Sequence, residues 1–102
     1  MPATVVLTSV ADGRSARRLS RLLVTRRLAA CVSAVDGVRS VYHWKGRIES
    51  GRETLLWIKT TRKHLKALED FFKKHHPYNL PEFLVFSAVG SKKYLSWLEG
   101  RH

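Results

Sequence analysis

The stretch CVSAVDGVRSVYHWKGRIESGRETLLWIKT, residues 31–60, decides the fold. Val32, Val35, Val38, Val41 and Tyr42 favour extended chain, and Asp36-Gly37 marks an interruption or bulge within it. His43 to Ile48 continues that strand toward Ser50-Gly51, the expected turn, and Glu53 to Thr60 supplies Leu55, Leu56, Trp57 and Ile58 for a second strand. The whole stretch therefore predicts one long hairpin. His43 and Trp44, as strand neighbours, are expected on opposite faces.

On the N-terminal side, Thr4 to Thr8 carries Val5, Val6 and Leu7 in succession, as in a central strand covered on both faces. Asp12 is placed to cap a helix from Gly13 to about Leu28. Its apolar stripe is Ala16, Leu19, Leu23 and Leu28, with Arg14, Arg17, Arg18 and Arg21 mainly outside it. On the C-terminal side, Thr60 or Thr61 is expected to cap a helix bearing Leu65, Leu68 and Phe72 on one side and Arg62, Lys63, Lys66, Lys73 and Lys74 elsewhere. Pro77 stops it after His75-His76, and Phe83 to Phe86 reads as a fourth strand before Gly90-Ser91. Ser91 can then cap a terminal helix crowded with Tyr94, Leu95, Trp97 and Leu98, which call for a covering surface. Strand, helix, hairpin, helix, strand and helix make an α/β (α+β) chain: a ferredoxin-like two-layer sandwich with an antiparallel sheet and a C-terminal helix.

The chain has 102 residues, which suits a single domain over 1–102 and excludes a large multidomain enzyme. Hydrophobic residues make up 44%, too many for a charge-rich disordered tail. The lone cysteine, Cys31, has no partner for an internal disulfide, and no stretch approaches the length of a membrane span. A cytoplasmic protein without membrane insertion is expected. The net charge of +11 favours nucleic acid, anionic lipid or an acidic partner.

Ala29-Ala30-Cys31-Val32 and Ser40-Val41-Tyr42-His43-Trp44-Lys45-Gly46 resemble the CutA family, named for divalent-cation tolerance. The likeness continues through Glu53, Lys59-Thr60, His76-Pro77-Tyr78, Pro81-Glu82, Gly90 and Tyr94-Leu95-x-Trp97, nearly the whole chain in the family's order. This resemblance implies a ferredoxin-like subunit of a tight homotrimer, whose hairpin reaches between subunits. It further implies an association with copper and other divalent ions, a likeness to the PII signalling trimers, and no established enzymatic reaction. The chain departs from common family patterns at Thr8, where some members carry Cys, at Ser33, and at Asn79.

Cys31 is a ligand type for soft ions such as Cu(I), and His76 offers an imidazole, so these two are the metal-ligand candidates. His75 and His43 are weaker ones. Glu53 and Glu82 lack a neighbouring acid, base or nucleophile that would make a catalytic pair, so no enzyme and no required cofactor are expected. Tyr42, Trp44, Glu53, Lys59, Tyr78, Glu82, Tyr94 and Trp97 are candidates for a cleft or for trimer contacts. Arg14, Arg18, Arg21, Lys63 and Lys66 are candidate anion contacts. The leading reading is a nonenzymatic homotrimer with weak copper or other divalent-cation binding, linked to metal tolerance. The alternatives are a structural or PII-like signalling trimer with a protein partner, and nonspecific nucleic-acid binding through the basic faces.

Overall fold

Val6, Thr8 and Val10 are fully buried on strand β1 (Ala3–Val10), whereas Val5 and Leu7 between them point to the other side of the sheet. The computed structural model describes residues 2–100. Strand β1 pairs on one side with β3 (Arg47–Thr60) and on the other with β4 (Leu84–Ala88), and β2 (Cys31–Trp44) lies beyond β3. The order is β2-β3-β1-β4 with every pairing antiparallel. Helices α1 (Gly13–Thr25) and α2 (Leu65–His75) cover one face, with α3 (Lys92–Leu98) at the end of the chain. Leu19, Leu23, Leu68, Phe71 and Phe72 from the helices meet Val6, Val10, Leu56 and Ile58 from the sheet in one core. Among the described residues no helix is long and apolar enough to cross a membrane.

The caps explain the helix limits. Asp12 accepts a hydrogen bond from the Ser15 N–H at 2.9 Å, as its position before α1 foretells. Helix α1 stops at Thr25, short of the expected Leu28, because Arg27 takes a left-handed conformation with φ of 57°. The Leu28 N–H then donates back to the Leu23 carbonyl and the Arg27 N–H to that of Val24, a Schellman ending with arginine where glycine is usual. Neither threonine caps α2 as expected. The Thr60 hydroxyl donates to the Leu28 carbonyl, the Thr61 hydroxyl bonds the His64 Nδ1, and a 3-10 turn (Arg62–His64) precedes α2. Ser91 does cap α3, accepting from the Tyr94 N–H.

The hairpin turns at Lys45-Gly46 and not at Ser50-Gly51. Lys45 and Gly46 have φ of 51° and 77°, the doubly left-handed loop whose twist matches the strands it joins. Gly51 remains in β3, opposite Ser40. The bulge expected at Asp36-Gly37 is present: both residues together oppose Thr54, with Gly37 at φ of 69° and the Thr54 hydroxyl donating to Asp36. This extra residue changes which positions share a face. Cys31, Ser33 and Val35 before the bulge, and Val38, Ser40, Tyr42 and Trp44 after it, lie on the face away from the core.

Among the described residues that second face has no helix of its own. Trp57, Val35, Leu84 and Phe86 stand 38–47% exposed on it, around half-buried Val5, Leu7 and Leu55. Beyond Thr54 the hairpin also outruns β1, so residues 38–53 form a two-stranded arm on a molecule 45 Å long.

Candidate cleft at the end of the sheet

Strand β4 covers β1 only up to Leu7, leaving Thr8 to Val10 with a free edge. The segment after α2 runs along this edge, and Pro77 turns it away from the helix. His76 is buried there between the Phe72 and Tyr78 rings, whose centroids lie 5.2 Å from its own. The Tyr78 backbone N–H donates to His76 Nδ1 at 3.1 Å. The proton therefore sits on Nε2, which donates to the Thr8 hydroxyl at 3.0 Å. Both ring nitrogens are engaged, and burial, partly offset by a hydrogen bond with the Ser9 backbone, holds the His76 pKa below its ordinary value.

Tyr78 crosses to the open face, where its hydroxyl donates to Glu53 at 2.7 Å and the Ser9 hydroxyl donates to the same oxygen at 3.3 Å. Burial works against the charge on Glu53, but hydrogen bonds from Ser40, Tyr78 and Ser9 outweigh it and keep the pKa below the usual carboxylate value. Burial and the adjoining carboxylate in turn keep the phenol of Tyr78 protonated. Ser9, Ser40, Tyr42, Trp44, Glu53 and the 77–82 segment line a cleft of about 710 Å³.

Five of the expected cleft residues thus come together: Tyr42, Trp44, Glu53, Tyr78 and Glu82. Lys59 does not join them, because its ammonium donates to Ser33 at 2.8 Å and lies 3.9 Å from the Cys31 sulfur. Tyr94 and Trp97 stack on each other on α3, ring centroids 5.7 Å apart. Ser9 and Ser40, two of the three hydroxyl donors to Glu53, are types too common to stand out in a sequence. Among the anion candidates, Lys66 is paired with Asp70 at 3.2 Å and Lys63 borders a separate hollow with Arg27 and His64. Arg14, Arg18 and Arg21 are exposed on α1.

Cys31 and His76 are not neighbours. Cys31 pairs with Lys59, which pairs with Val5, on the open face; His76 meets Thr8 on the core face. The sheet lies between the two donors. His75 points elsewhere, its Nε2 accepting from Arg26 at 3.2 Å over the Phe71 ring. Among the described residues no three of His, Cys, Asp and Glu gather closely enough to hold a metal ion. The described donors of one chain do not make a built metal centre.

Residues 4–101 match the family model described as CutA1 divalent ion tolerance protein. The chain belongs to this CutA1 family. A divalent-cation tolerance protein CutA of Yersinia pestis is 42% identical over 97 residues, covering 94% of this chain and 82% of its own. The CutA1 structure of Thermus thermophilus superposes with a TM-score of 0.91 at 40% identity, covering 95% of each chain. That of Oryza sativa gives 0.90 at 38%, covering 96% of this chain and 91% of its own. The family and its relatives carry the name of divalent-cation tolerance.

The buried histidine of this CutA1 chain sets a pH dependence. In the unfolded chain His76 titrates near 6.5, whereas burial lowers its folded value. Below that pH the unfolded state binds a proton that the folded state refuses, so stability is full above about 6.5 and falls as pH drops toward the folded pKa. His64 and His75 shift in the same direction. Urea midpoints at about pH 7.5 and about pH 5.5 are expected to show lower stability at the acid value, with a smaller difference in His76→Gln. An equal or higher wild-type midpoint at the acid pH would contradict this.

Proposed function

We propose that this CutA1 family member is a nonenzymatic homotrimer that binds copper or another divalent cation weakly and thereby serves divalent-cation tolerance, with no resident cofactor. The observation that carries the assembly is the open sheet face. An antiparallel sheet with one solvated face normally alternates apolar and polar residues, whereas this one presents Val5, Leu7, Leu55, Trp57, Leu84 and Phe86 on the side no helix covers. An isolated two-stranded ribbon is marginal in water, so the 38–53 arm gains from a neighbour's surface as well. The homotrimer implied by the family resemblance would cover both.

Weak cation binding follows from the donors. Cys31 is a soft ligand, but the Lys59 ammonium 3.9 Å from its sulfur opposes an incoming cation. His76 can ligate only by giving up the Thr8 or the Tyr78 hydrogen bond. Each is thus a separate, single-donor position. A reducing, cytoplasmic setting belongs to the same reading, since Cys31 has no second cysteine in the chain.

Copper titration of the tag-free protein is expected to saturate with a Kd weaker than about 1 μM, which corresponds to less than about 8 kcal/mol. Cys31→Ser and His76→Ala should each remove part of the signal. A wild-type titration without saturation, or one that neither substitution alters, would overturn the cation assignment.

A further inference from the structure

The arginines of α1 form a stripe. At about 100° per residue, Arg14, Arg17, Arg18 and Arg21 fall within an arc of about 100°, directly opposite the buried Ala16, Leu19 and Leu23. All four are exposed, and α1 contains no acidic residue. Asp12, Asp36 and Glu53 border the same hollow as Arg14, Arg17 and Arg52, yet among the described residues the ion pairs are those of Asp70 with Lys66 and Lys73 on α2. Among the described residues no ion pair ties down any of the four guanidinium groups.

The positive field extends across to α2. The Arg26 guanidinium at the end of α1 reaches His75 of α2 at 3.2 Å, and Arg18 and Lys74 lie close enough to lower the His75 pKa with it, so cations of both helices meet at their shared outer surface. Arg26 is fixed there, 5.5 Å over the Phe71 ring and bonded to His75. This surface lies on the opposite side of the molecule from the apolar sheet face and stays accessible whether or not that face is covered.

We propose that the outer face of α1, extended by Arg26 and Lys74, binds the phosphate backbone of nucleic acid without reading bases. The form of the array argues for a polymer. Arg14 to Arg21 spans about 10.5 Å of helix axis, the rise of about three phosphates along one strand of a duplex. Arg18 and Arg21 lie apart from the hollow that Arg14 and Arg17 border, so the four guanidinium groups do not converge on one point, as a single small anion would require. A lipid surface fits less well, because α1 spends its apolar stripe in the core and, among the described residues of α1 and α2, Val24 is the one large apolar side chain left exposed.

The test is fluorescence anisotropy of the intact protein with a short mixed-sequence duplex DNA and a single-stranded RNA of equal length, in about 50 to about 200 mM salt. For the duplex, wild type is expected to show a log affinity against log salt slope steeper by about 3.6 than R14Q/R17Q/R18Q/R21Q, about 150-fold over that range. A shallower loss with the RNA would identify single strands as a further target of the same face. The corresponding Arg→Lys variant should keep the wild-type slope, since charge is what is read, and circular dichroism of both variants should match wild type. Replacing Arg47, which pairs with Trp44 on the sheet face away from α1, by Gln should leave affinity within about two-fold. No binding at the lowest salt, equal slopes for wild type and the Gln variant, or binding to phosphatidylserine vesicles in place of both nucleic acids would overturn the proposal.

Discussion

Trp57→Glu combined with Phe86→Glu is expected to convert the proposed homotrimer to monomers without unfolding the subunit. Trp57 lies opposite Leu7 and Phe86 opposite Val5, both on the sheet face away from α1 and α2, at 38% and 43% exposure. In the subunit alone, a carboxylate at either position remains in water and costs little. In an assembly that buries this face the carboxylates must be desolvated, and since the Lys59 ammonium, held at Ser33 opposite position 57, can pair with one at most, the other carries an effective penalty of several kcal/mol. Three copies bring six such carboxylates together, and no concentration in the micromolar range should restore the complex. Light scattering should then report the 11.7 kDa of one chain, with the far-ultraviolet spectrum of the wild type. A double variant that keeps the wild-type mass would show that assembly, if present, uses another surface.

Leu56→Ala is expected to cost about 3–5 kcal/mol, the upper part of the range for a leucine truncated in a core. Leu56 is completely buried and sits opposite Thr8 on one side and Ala34 on the other. Its backbone is held by ladders to both neighbouring strands, so β3 cannot move inward to close the cavity. For a domain of this size, each kcal/mol shifts the melting temperature by about 4–8 °C, and a loss above about 12 °C is expected at fixed protein concentration. Val24→Ala, by contrast, trims a side chain 43% exposed on α1 and should stay within about 0.5 kcal/mol. If Leu56→Ala melts within a few degrees of wild type, the core is packed otherwise than described.

The parts of this fold that rest on local chemistry were legible in the residues. Asp12, Ser91, Pro77 and the Asp36-Gly37 bulge each act within a few positions of themselves, and each does what its type suggests. The misplaced limits share one cause. Lys45 and Arg27 adopt left-handed backbone that composition assigns to glycine or asparagine, so the residues alone point to a turn at Ser50-Gly51 and to an α1 that reaches Leu28. Turn placement depends on which register buries the most, and that is a property of the whole sheet.

The cleft was legible for the same reason that it is compact in sequence. Tyr42 and Trp44 share a face by strand alternation, and Tyr78 and Glu82 lie in one short segment. Cys31 and His76 could not be separated before the register was known. That one donor lies above the sheet and the other below it depends on Cys31 pairing with Lys59 and on His76 meeting Thr8. The charge of +11 divides in the fold: Lys66 is paired with Asp70, whereas among the described residues the α1 arginines form a stripe without ion pairs.

Assembly through the open sheet face is the claim on which the proposed function rests, and the absolute mass of the untagged wild-type protein in solution tests it most directly. Size-exclusion chromatography with multi-angle light scattering at micromolar concentration is expected to give three times the 11.7 kDa of the chain, about 35 kDa. A mass of 11.7 kDa that persists as the concentration is raised would contradict it.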